Sequence, residues 1–169
     1  MRPISAKVVE ATWKRMASIS PLQSQQIVDG MSKRQPVVLA YLMGAGGDLL
    51  NEDERGLLLY LGVVVWQMML QGDAPLLKVT EKILDRAEER NMKMLERFAG
   101  EPFDLMEKGI EGMLRNYHQR EVLEYVVEAL MEEPEEGCFI RDENRGIMMV
   151  FLKTVIDCFD WAGTAKTYS

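Results

Sequence analysis

Histidine is the scarcest chemistry in this 169-residue chain, with a single copy at His118. One imidazole cannot supply the Glu-x-x-His motif that a di-iron carboxylate bundle draws from each of two helices, so that class is excluded. Cysteine is almost as rare. Cys138 and Cys158 make no disulfide framework at this length and predict a reducing, cytoplasmic setting. No long apolar run is present either. The longest, 57–70, contains Gln67 and falls short of the roughly 20 residues that a bilayer span needs. At the N-terminus Lys7, Glu10, Lys14 and Arg15 interrupt any apolar core of the signal-peptide kind. The expectation is a protein with no membrane partner.

Basic residues are sparse where a nucleic-acid binder would cluster them. Residues 81–145 carry 18 acidic against 10 basic side chains, and only 1–50 lean the other way, with 6 basic against 3 acidic. Phosphate contacts need grouped Lys and Arg, so no nucleic-acid partner is expected. What is abundant is apolar: 47% hydrophobic residues against 28% charged, enough to build a core rather than a disordered chain. The 13 Met suit irregular core gaps first and adaptable binding surfaces second.

Periodicity is helical throughout, and no segment reads as a strand. Val8, Val9, Trp13, Met16 and Ile19 form the apolar stripe of a first amphipathic helix. Ser20 followed by Pro21 starts a second, since a proline at the first helical position loses no hydrogen bond. Pro36 breaks the chain before a third, which the glycines of 44–47 end. Asn51 with Glu54 three residues on is a capping box for a fourth helix running to about Gln71. A long helix follows from Leu76, then one from Pro102, one through "EVLEYVVEALMEE", and a last from Asp142 to Gly163. The sequence therefore predicts an all-α domain of about eight helices over residues 1–169, with 163–169 as a frayed tail.

The two halves resemble one another. "EDERGLLLYLG" (52–62) and "DENRGIMMVFL" (142–152) share Arg55/Arg145 and Gly56/Gly146 in register. Upstream, Pro21/Pro102, Gly30/Gly112, Met31/Met113, Gln35/Gln119, Val38/Val122, Leu39/Leu123 and Tyr41/Tyr125 match in the same order. Helical periodicity alone aligns apolar residues, but not Gly, Gln, Arg and Pro. The reading is two tandem four-helix repeats, 5–71 and 76–162, sharing one core. The apolar fourth helices would be the most buried pair, with Gly56 and Gly146 allowing close helix approach.

Candidate chemistry is thin. His118, Glu121 and Glu124, with Glu128 further along, could ligate one metal, although a polar helix face explains them equally. Glu121 and Glu124 with Asp157 and Asp160 approximate the Glu-x-x-Glu and Glu-x-x-Asp pattern by which helical nucleotide pyrophosphohydrolases hold Mg²⁺. "GAGGD" lacks the Lys-Ser/Thr of a phosphate loop. Arg55 and Arg145 could grip an anion symmetrically, or simply pair within the chain. The expected function is a protein-interaction or adaptor module that binds a partner protein or itself, without cofactor or catalysis. The alternative is a Mg²⁺-dependent phosphate-ester or nucleotide hydrolase using the four carboxylates.

Overall fold

The structure, a computed structural model, describes residues 1–98 and 107–164. Among these residues every regular element is helical: α1 (Ala6–Ser18), α2 (Pro21–Arg34), α3 (Pro36–Gly44), α4 (Glu52–Met69), α5 (Glu81–Phe98), α6 (Glu107–Arg115), α7 (Arg120–Met131) and α8 (Asp142–Thr164), with a short 3-10 turn at Gly47–Leu49. The helix expected from Pro102 begins outside the described residues, as does most of the expected tail.

Local chemistry sets the helix starts. Ser20 and Gln23 form a complete capping box for α2, and Asn51 and Glu54 form another for α4. Pro21 and Pro36 occupy first-turn positions. Ser5 accepts from the Val8 N–H and Thr80 from the Ile83 N–H, both at 3.2 Å, so α1 and α5 open with the same side-chain cap.

The segment 76–80 is a correction. Its apolar Leu76 and Leu77 extend the helical period, yet the chain there is not helical, and α5 starts only at Glu81. Buried Gln35 is the reason. Its side chain donates to the Leu77 carbonyl (3.0 Å) and accepts from the Val79 N–H (2.9 Å), satisfying backbone groups that a helix would otherwise satisfy.

Burial follows hydropathy. Residues 146–159 of α8 are buried on every side, and so are residues 61–66 of α4. These two helices pack together at the centre. Each also packs with the first and third helices of its own half: α4 with α1 and α3, α8 with α5 and α7. Then the halves cross, for α1 packs on α7 and α5 on α3. Exchanging α1–α4 for α5–α8 leaves those packing partners unchanged.

Gly56 does not allow a close helix approach, because it is exposed and nothing lies within 4 Å of where its Cβ would stand. Gly62, one helical stretch further along, has that role: a Cβ there would come within 2.4 Å of the Leu42 side chain.

Candidate functional site

Helices α4 and α8 begin around one carboxylate. Glu54 is fully buried. It accepts from the backbone N–H groups of Asn51 and Arg141, both at 2.9 Å, from the Arg141 guanidinium at 2.7 Å and from the Asn144 amide at 3.0 Å. Burial opposes ionisation of this acid, but the hydrogen bonds from Arg141, Asn51 and Asn144 together overcome it and hold the carboxyl at about 2. Both helix N-termini add positive potential there. Arg141 also donates to the Leu49 carbonyl at 2.6 Å, pinning the α3–α4 connection.

Above this anchor lies a groove of about 990 Å³ between α3, α5 and α8. Its floor is made by Ala40, Tyr41 and Gly44 on α3 and by Ile147 and Phe151 on α8; Glu88 and Met92 on α5 form the opposite wall. The rings of Tyr41 and Phe151 meet edge to face, 6.2 Å apart and 89° between planes. Met92 and Leu49 remain 43% and 47% exposed at the edges. Gly46 sits at the floor with φ +81°, and a Cβ there would press on Leu50 and Phe151 at 3.1 and 3.2 Å.

A second, smaller cleft lies between α1 and α7. Glu124, Tyr125 and Glu128 of α7 stand at the spacing from Ala40, Tyr41 and Gly44 that separates Gln35 from Gln119. They line a cleft of about 240 Å³ with Glu10 and Trp13 of α1. Where the larger groove has Ala40 and Gly44, this cleft has Glu124 and Glu128.

The chain matches no protein-family model, no curated protein and no solved structure. Its groove has to be interpreted from its own chemistry.

The carboxylates singled out in the sequence do not converge. Glu121 and Glu124 face α1 in the smaller cleft, because α7 turns Val122, Leu123, Val126 and Val127 to the core. Asp157 lies on the buried length of α8, where Lys153 and Asn91 both reach one of its oxygens at 2.9 Å and the Tyr117 hydroxyl donates to the other at 2.5 Å. Lys153 also donates to the Asn91 carbonyl oxygen at 2.9 Å and stands 5.0 Å from the Tyr117 ring centroid. Asp160 accepts from Gln119 at 2.9 Å and pairs with His118 at 2.8 Å. The four-carboxylate Mg²⁺ site and the His118, Glu121, Glu124 set are therefore not formed. Among the described residues no group of three or more His, Cys, Asp or Glu is placed to hold a metal ion.

Arg55 and Arg145 act inside the chain. Arg55 donates to the carbonyls of Met43 (2.7 Å), Ala45 (3.2 Å) and Gly47 (2.6 Å), closing the end of α3. Arg145 donates to Leu130 in the last turn of α7 at 2.7 Å. The internal pairing anticipated for them is to helix-end carbonyls rather than to acidic side chains.

Wherever the surroundings move a titratable group among the described residues, the move is away from neutral pH. Burial, helped by the Glu88 carboxylate, pushes the Tyr41 phenol up against a hydrogen bond with Thr154 that opposes the shift. Burial and then Asp157 push Tyr117 up, and burial pushes the Cys158 thiol to about 12. General acid–base or thiolate chemistry needs the opposite tuning.

Sequence reasoning passed over Ala40, Gly44, Glu88 and Met92. Tyr41 was visible as a match to Tyr125, and comparing the flanking residues of those two tyrosines was the available signal: small beside one, acidic beside the other.

Proposed function

We propose that this chain is a non-catalytic protein-interaction module, and that the groove between α3, α5 and α8 receives an apolar helical segment of a partner protein. The observation that carries this reading is the groove itself: it is about 990 Å³ and mainly apolar, whereas the cleft between α1 and α7 is about 240 Å³ and bordered by Glu10, Glu121, Glu124 and Glu128. A helix suits it better than an extended peptide. The groove walls are helices whose backbone groups are already bonded, so an incoming strand would find no ladder to join, whereas a helix satisfies its own backbone. The span from Asn144 to Phe151 covers about two turns, or roughly 10 Å of helix.

The surroundings favour binding over catalysis, since among the described residues every resolved shift of a titratable group is away from neutrality and the candidate carboxylates are dispersed. Two unpaired cysteines suit a reducing, cytoplasmic setting. Among the described residues no helix is long and apolar enough to cross a membrane. We also infer that a four-helix unit was duplicated. The matched Gln35 and Gln119, the matched caps Ser5 and Thr80, and the crossed packing of α1 and α5 all support that origin.

The test is a methyl-detected NMR titration with a synthetic amphipathic helix bearing a leucine stripe and glutamine flanks. Saturable shifts at the Ala40, Met92 and Ile147 methyls are expected. Shifts confined to Met131 or to other distant methyls, or no saturable shift at all, would remove the groove from the proposal.

A further inference from the structure

We infer that the helix taken by this groove is cationic, with Lys or Arg flanking its apolar stripe so as to reach Glu88 on α5 and Glu143 on α8. This rests on the groove being the docking site.

The reasoning starts from which polar groups along the groove are still free. Arg141 would be the natural partner for an acidic ligand, but its guanidinium is committed to Glu54 and to the Leu49 carbonyl. The Asn144 amide donates to the same carboxylate and the same carbonyl. Glu88 and Glu143 both line the groove, both are exposed, and neither makes a hydrogen bond or ion pair with a described residue. These side chains offer a ligand an apolar floor and two exposed, acceptor-only anions. An acidic segment would bring its charge beside like charge. A basic one gains two ion pairs at the rim and is steered in by a chain of net charge −7.

Three synthetic helices with the same leucine stripe and with Lys, Gln or Glu flanks decide the matter by fluorescence anisotropy at low and at physiological salt. The expected order of affinity is Lys, then Gln, then Glu. The Lys advantage over Gln should be about tenfold at low salt and shrink as salt rises. In the Glu88→Lys/Glu143→Lys variant the order should invert, with the Glu-flanked helix tightest; both positions are exposed, so a melting curve should show the fold kept. Equal binding of all three helices to the native protein, with no inversion in the variant, overturns the charge inference and leaves the groove standing. If none of the three perturbs the Ala40 and Ile147 methyls, the docking site itself is wrong.

Discussion

Gln35 and Gln119 make the same pair of hydrogen bonds in opposite halves of the molecule. Gln35 takes the Val79 N–H and gives to the Leu77 carbonyl; Gln119 takes the Ile4 N–H at 2.9 Å and gives to the Arg2 carbonyl at 3.4 Å. Each glutamine precedes the third helix of its half and holds the segment that leads into the first helix of the other half. Replacing either with alanine leaves a buried backbone N–H without a partner, which costs about 1–3 kcal/mol. Gln119→Ala should be the more damaging, because that amide also donates to Asp160. Hydrogen exchange should quicken at the Ile4 amide in Gln119→Ala and at the Val79 amide in Gln35→Ala, each without the other.

Acid should unfold the protein through Glu54. Its carboxyl is held at about 2 in the fold against an ordinary 4.5, so the folded state binds this proton less readily than the unfolded chain. The stability this supplies is complete above about pH 5 and is lost as pH falls toward 2. The full shift would be worth about 3 kcal/mol, and because Arg141 is partly solvent-exposed, on the order of 2 kcal/mol is expected. Denaturant melts at pH 7 and pH 3 should show that loss. In Glu54→Gln the protein should be less stable at pH 7 and show a flatter profile between those two values.

Gly62→Ala should destabilise by about 1–3 kcal/mol through overpacking, since the new methyl would fall within 2.4–2.6 Å of the Leu42 side-chain carbons. Adding Leu42→Val should return part of the loss, and a double-mutant cycle measures how much. Gly56→Ala, whose methyl meets nothing, should hold or raise stability.

Lys153→Met should cost about 3–5 kcal/mol, because it leaves Asp157 buried among Asn91 and Tyr117 without its counter-charge. Removing both charges in Lys153→Met/Asp157→Leu should recover most of that. Thermal unfolding of the two variants checks it; a double variant no more stable than the single one would show the pair to be worth more than an apolar replacement.

Much of the fold could be read residue by residue. The boxes at Ser20–Gln23 and Asn51–Glu54 are local in sequence and form as the spacing requires. The two most apolar segments become the central pair, since nothing else in the chain can cover them. The failures fall where a distant partner decides. Leu76 and Leu77 keep a helical period, but Gln35, from another element, bonds the backbone of their stretch, which stays outside the helix. Asp157 and Asp160 look like ligands on paper, yet Lys153, Asn91, Tyr117, His118 and Gln119 already occupy them.

Sequence by itself determined that this protein is helical, where most of its helices start, and which two are innermost, because caps, proline positions and apolar periodicity act over a few residues. It also contained the pairing of Tyr41 with Tyr125. Only the tertiary structure decided that Ala40 and Gly44 border a groove with α5 and α8, and that Arg141 is committed to Glu54 while Glu88 and Glu143 are not. Those outcomes depend on which side chains meet across helices far apart in the chain, and contact of that kind has no local signature.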